Sequence, residues 1–120
     1  MHSYSPLGGG LLTGKYLAGA AGRLTEDHRY RARYELDWMH AAAAGLTEIA
    51  TREGIDPGTL AVAWTAAHSG ISAPIISASA VDQIDPSLAA LDYSLSAALY
   101  DELSALVPTP PPATDRLEEA

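Results

Sequence analysis

Apolar positions settle into a helical rhythm only after an irregular opening. From about Glu35, the residues Leu36, Met39, Ala43, Leu46 and Ala50 recur every three or four positions, which lays one apolar stripe along a helix. Gly54 is placed to end that helix, because glycine takes the left-handed conformation of a C-terminal cap without strain. The stretch "DPGTLAVAWTAAHSG" then starts a second helix. Asp56 can accept the free N–H groups of the first turn, and Pro57 fits the first helical position, where its missing N–H does no harm. Leu60, Ala63, Trp64 and Ala67 fall on one face, and Ser69-Gly70 stops the run. "ISAPIISAS" at 71–79 is short, rich in isoleucine and bounded by small residues, the pattern of a buried strand. Val81 to Leu91 fits a third helix, weakened in its first turn by Pro86. Ser96 can cap a last helix, with Leu99, Leu103 and Leu106 on one side and Asp101 and Glu102 outward.

Two segments flank this regular part. Residues 1–5 fit the stub of a strand, and residues 6–33 form a long loop broken by "SPLGGG", "TGK" and "GAAG". The tail "PTPPPATDRLEEA", 108–120, is extended and Pro-rich. The expected order is strand stub, loop, helix, helix, strand, helix, helix, an α/β chain that is mostly helical with one or two short parallel strands. A parallel strand buried on both faces needs neighbours on both sides, and this chain offers at most one.

Composition narrows the function classes. Net charge is −8, from 15 acidic and 7 basic residues, which argues against general affinity for nucleic acid. One anionic ligand remains compatible, since backbone amides hold phosphate without net positive charge. Arg23, Arg29, Arg31 and Arg33 form a basic cluster, read either as a solvated segment or as an anion site. The four histidines, His2, His28, His40 and His68, have no metal-ligand spacing, so no metal is expected. There is no cysteine, no signal-peptide pattern in "MHSYSPL" and no apolar run near the roughly 18 residues of a membrane span, so a cytoplasmic location is expected. Trp38 and Trp64 are expected to pack rather than to hold a ligand.

The opening "YSPLGGGLLTGKY" poses the chemical question. Glycines in series mean that something approaches the backbone closely, or that the loop is disordered. This segment, followed in order by "LAVAWTAAH" and "APIISASAVDQIDPSLAALD", resembles the C-terminal part of aldo-keto reductases, as does the Pro-rich tail. The resemblance implies a fragment of a (β/α)8 barrel, a fold of about 250 residues, with residues 1–107 supplying its last two β/α units and 108–120 the tail. It implies an oxidoreductase family acting on aldehydes and ketones with NADP(H), NAD(H) not being excluded.

By that resemblance Tyr4 stacks on the nicotinamide ring. Ser5, Leu7 and Gly9 line the pyrophosphate with Lys15 nearby, and Pro6 and Gly8 complete the cofactor-binding loop. Ser77 and Ser79 lie by the adenosine 2′-phosphate, and Gln83 and Ser87 face the adenine end. Three positions depart from the common pattern: many relatives carry Gly at Ser77, Arg at Ser79 and Asn at Ser87. The Arg would bond a 2′-phosphate with charge assistance, so its absence weakens the case for NADP over NAD. No residue matches the family's catalytic Asp, Tyr, Lys and His, so the chain is expected to be inactive alone. The alternative is a non-enzymatic interaction fragment that completes a split barrel or self-associates.

Overall fold

The computed structural model describes residues 1–17, 19–34 and 36–108. The Pro-rich tail expected at 108–120 lies, from 109 on, outside the described residues. The strand stub is present as β1 (His2–Tyr4). The stretch 6–33, expected to be a plain loop, carries structure of its own. A 3-10 winding spans Gly8–Thr13, and beyond it come two short helices, α1 (Arg23–Glu26) and α2 (His28–Tyr34). Helices this short do not hold in isolation, and tertiary contacts fix them. The Tyr16 hydroxyl accepts from the Leu24 N–H at 3.1 Å and donates to the Gly9 carbonyl at 3.4 Å. Arg31 reaches back from α2, donating from Nε to the Leu24 carbonyl and from Nη2 to that of Thr25. Leu11, Leu24 and Ala43 form a small core under this segment, flanked by Tyr16, Tyr30, Tyr34 and Met39.

The next two helices match expectation closely. The first, α3 (Asp37–Glu53), ends at Gly54, whose left-handed backbone (φ 72°) lets its N–H bond the Ala50 and Thr51 carbonyls. Trp38, expected to pack, is instead 43% exposed on the first turn of α3. The second, α4 (Pro57–Ala67), is capped by Asp56, whose Oδ1 accepts from the N–H groups of Gly58 (2.7 Å) and Thr59 (3.3 Å). Residues 58–63 are all buried, with Leu60 at 0% exposure, so the early turns are enclosed on more than one side. The single face expected for α4 ignored how small its alanines are, which lets neighbours close in around it.

The Ile-rich stretch contributes only β2 (Ala73–Ile75), parallel to β1 in the register His2–Ala73, Ser3–Pro74, Tyr4–Ile75. It is not the buried strand expected. Ile75 is 58% exposed, because among the described residues β1 is the only strand beside it. The helix expected over Val81–Leu91 is broken into a 3-10 turn at Val81–Gln83, α5 (Asp85–Ala89) and a second 3-10 turn at Ala90–Asp92. Pro86 opens α5, where its ring cannot continue a preceding turn. The last helix, α6 (Ala97–Ser104), starts at Ser96, whose Oγ accepts from the Leu99 N–H at 3.1 Å.

The main core joins α3, α4 and α6 through Leu46, Ile49, Ala50, Leu60, Ala61, Leu99 and Leu103. Trp64 packs beside it, stacked on Tyr100 and donating from Nε1 to the Ser104 hydroxyl at 2.9 Å. Thr59 ties α5 to α4 by donating its hydroxyl to the Pro86 carbonyl. The parallel pairing of β1 and β2 puts the segment after β2 and the glycine winding after β1 on the same side of the sheet. No helix among the described residues is long and apolar enough to cross a membrane.

Candidate functional site

Both strands run parallel, so the segments that leave their C-terminal ends lie side by side. After β1 the backbone turns sharply. Ser5 takes a left-handed conformation (φ 54°) and its carbonyl accepts from the Gly8 N–H at 2.9 Å. Gly8, Gly9 and Gly10 continue at φ 57°, 67° and 96°, a run that few side-chain-bearing residues tolerate. Packing adds a second reason at Gly9, where a Cβ would stand 3.0 Å from the Tyr30 ring. The winding is then pinned. Thr13 donates its hydroxyl to the Gly10 carbonyl (2.7 Å) and accepts from the Lys15 N–H (3.3 Å). Lys15 folds back toward Gly10, with its ammonium 5.0 Å from the centroid of the Tyr16 ring.

After β2, residues 76–80 are irregular. Ser79 offers its N–H to the Gln83 side-chain oxygen at 3.2 Å, which closes the turn into the Val81–Gln83 element. Ser87, on α5, is only 4% exposed. Between the two segments runs an open cleft of about 640 Å³, within the size range of small-molecule sites. Tyr4, Ser5, Pro6, Leu7, Gly9 and Lys15 line one side, and Ser77, Ser79, Gln83 and Ser87 the other. Of the residues expected to hold the cofactor, Gly8 alone is not on its walls, and Arg29, Arg31 and Arg33 of the basic cluster do not line it either. Tyr4 is 67% exposed at the end of β1, free to present its ring to a ligand.

Sequence reasoning missed part of the lining that comes from other elements. Ala21, Gly22, Glu26 and Tyr30 come from the α1–α2 segment, and Asp56 and Gly58 from the head of α4. No periodicity or motif marks Glu26 and Tyr30 as neighbours of the glycine winding. Asp56 carried a signal, but only that of a helix cap. Among the described residues the walls therefore combine one ammonium, Lys15, with two carboxylates, Glu26 and Asp56, and with serines and glycines. Glycine backbone and polar side chains thus line one groove. Among the described residues no group of three or more His, Cys, Asp or Glu could hold a metal ion.

Comparison with known proteins places this geometry. The family model of the aldo/keto reductase family matches residues 1–108. The chain is 34% identical over 107 residues to Protein tas of Escherichia coli, covering 87% of this chain and 31% of that protein. It is 32% identical over 123 residues to a probable voltage-gated potassium channel subunit beta of Oryza sativa subsp. japonica, covering 94% and 37%. An uncharacterized oxidoreductase of Bacillus subtilis, YrpG, is 30% identical over 111 residues, covering 90% and 32%. A mostly helical chain with a two-stranded parallel sheet, bearing a glycine-lined cleft, belongs to the aldo/keto reductase family. Proteins of this family generally use NAD(P)H. The chain spans about a third of the length of the relatives it matches.

Proposed function

We propose that this chain is the nicotinamide dinucleotide-holding part of an aldo-keto reductase, formed from the last two β/α units of a (β/α)8 barrel. The ligand lies in the cleft, with Tyr4 against the nicotinamide ring and the turn from Ser5 to Gly9 along the pyrophosphate. Main-chain N–H groups and the Lys15 ammonium meet the phosphate charge there. Ser77, Ser79, Gln83 and Ser87 face the adenosine half. In such barrels phosphate sites commonly form at the loops after the last two strands. The cofactor supplies the hydride, and the groups that would protonate a carbonyl are not among these residues.

One observation carries the reading. Two stretches some sixty residues apart, around 4–15 and 77–87, line the same cleft. Titrating the purified chain with NADH and NADPH, followed by nucleotide fluorescence, tests it. Saturable one-to-one binding is expected, with no carbonyl-dependent oxidation of either nucleotide above the blank. Absence of binding by both would remove the cleft reading, and turnover above the blank would remove the claim that the catalytic groups are elsewhere.

A second reading is favoured by the sheet. Two short strands with Ile75 largely exposed offer unpaired edges to further strands. On that reading the chain is an assembly fragment that completes a barrel with another chain or associates with itself. Light scattering across a range of concentrations distinguishes the two, since a cofactor-holding unit that stands alone stays monomeric.

A further inference from the structure

We infer that copies of this chain join through two unlike surfaces: the arginine face of α2 on one copy seats on the apolar, carboxylate-rimmed stretch around α5 of the next. The inference rests on the assembly reading above and names its partner, a second copy, and the contact between them. Sheet edges of three residues are too short to hold two chains together unaided. Charge along the sequence points to a further surface. Four arginines and the chain's only lysine fall at residues 15–33, whereas no lysine or arginine lies between 53 and 115, a stretch that holds Asp82, Asp85 and Asp92. Every copy thus carries a basic surface and an acidic one. A net charge of −8 opposes approach at long range, so attraction comes from local complementarity.

Both surfaces are preformed. On α2, Tyr30 and Tyr34 stack with ring centroids 6.2 Å apart and pack against the small core, which fixes the inner face of the helix. Arg31 is spent on the Leu24 and Thr25 carbonyls. Arg29 and Arg33, one turn apart, are exposed, and among the described residues neither side chain makes an ion pair or hydrogen bond. Around α5 the outward side chains are apolar, with Val81 87%, Leu88 44% and Leu91 83% exposed. Asp82, Asp85 and Asp92 stand exposed beside them, without an ion pair among the described residues. None of these residues lines the cleft. Apolar side chains scattered singly need no partner, but three on one short stretch rimmed by carboxylates call for one. Arginine suits that place, because its stem covers apolar surface while its planar fork bonds a carboxylate through two N–H groups. A contact between two different surfaces leaves one of each free, so further copies add beyond two.

Light scattering of the full chain over a range of concentrations, with two charge reversals, tests the contact. The wild-type mass should climb past that of a dimer as concentration rises. Arg29→Glu with Arg33→Glu, and separately Asp82→Lys with Asp92→Lys, should each weaken association about tenfold, the effect of turning two exposed charge pairs from attraction to repulsion. All four side chains are exposed, so thermal midpoints should stay in place. The first reversal makes the chain more acidic and the second less, so a response to net charge alone would move them in opposite directions. Mixing the two variants in equal amounts should restore association, since each then offers the surface the other needs. Opposite shifts, no shift, or a loss in both that mixing does not rescue overturns the inference and leaves the assembly reading to the strand edges, where Ile75→Lys probes it. A wild-type chain that stays monomeric at every concentration overturns the assembly reading and this inference with it.

Discussion

Gly9 illustrates what a residue-level reading can and cannot recover. A run of glycines signalled that something comes close to the backbone, and something does. The neighbour is the ring of Tyr30, which stands 3.0 Å from the position a Cβ would take, in addition to any ligand the cleft holds. No spacing rule links positions 9 and 30, because the contact depends on how α1 and α2 fold back over the winding. Gly19 shares the left-handed backbone (φ 80°) but has nothing within 4 Å of its Cβ position. The pair therefore separates strain from crowding. Gly19→Ala is expected to lower stability by about 1 kcal/mol through backbone strain alone. Gly9→Ala should cost more, about 2 kcal/mol, because the Tyr30 ring must also move. Urea unfolding of the two variants checks the order, and equal losses would show that the ring yields freely. The two tryptophans make the same point: identical in the sequence reading, they part because Trp64 meets Tyr100 and Ser104 while Trp38 sits on an open first turn.

Elements were legible where their ends carry their own chemistry. Asp56, Gly54 and Ser96 each mark a helix boundary by a bond made within a few residues, and α3, α4 and α6 lie where those signals put them. Asp56→Ala should accordingly lower stability by about 1 kcal/mol while Asp56→Asn holds it. The helices α1 and α2 were not legible, since their fixing bonds run from Tyr16 and Arg31 to main-chain groups of other turns. One link between elements responds to pH. Arg52 on α3 donates from both Nη atoms to the two oxygens of Glu102 on α6, each at 2.7 Å. These bonds hold the Glu102 carboxyl below its usual value near 4.5, although the pair is exposed. A carboxyl whose folded pKa is depressed contributes stability above its unfolded pKa and loses it as pH falls through the folded one. The wild-type midpoint should therefore drop more steeply than that of Glu102→Gln as pH is lowered below about 4.5, with the difference shrinking in high salt. Parallel acid limbs for the two proteins would show that the pair adds nothing.

At the scale of the whole molecule the decisive fact is how little sheet the described residues hold. Three helices supply the main core, and the two strands only tie the N-terminus to the segment after α4. That imbalance was legible before any coordinates, from one Ile-rich run among helices. What could not be read was its consequence for burial, because a strand's exposure depends on layers laid against it. Ile75 shows the result, 58% exposed on the only described sheet. An exposed β-branched side chain on a short open sheet invites pairing with another chain, and a lysine there opposes it by charge and by the cost of desolvating an ammonium. Self-association of the isolated chain, where light scattering detects it at high concentration, should fall with Ile75→Lys. Its stability should stay within the narrow range of an ordinary surface substitution, about 0.5 kcal/mol, since Ile75 belongs to neither core cluster. If association persists undiminished in Ile75→Lys, the strands are not the contact, and the assembly reading loses the observation that favoured it.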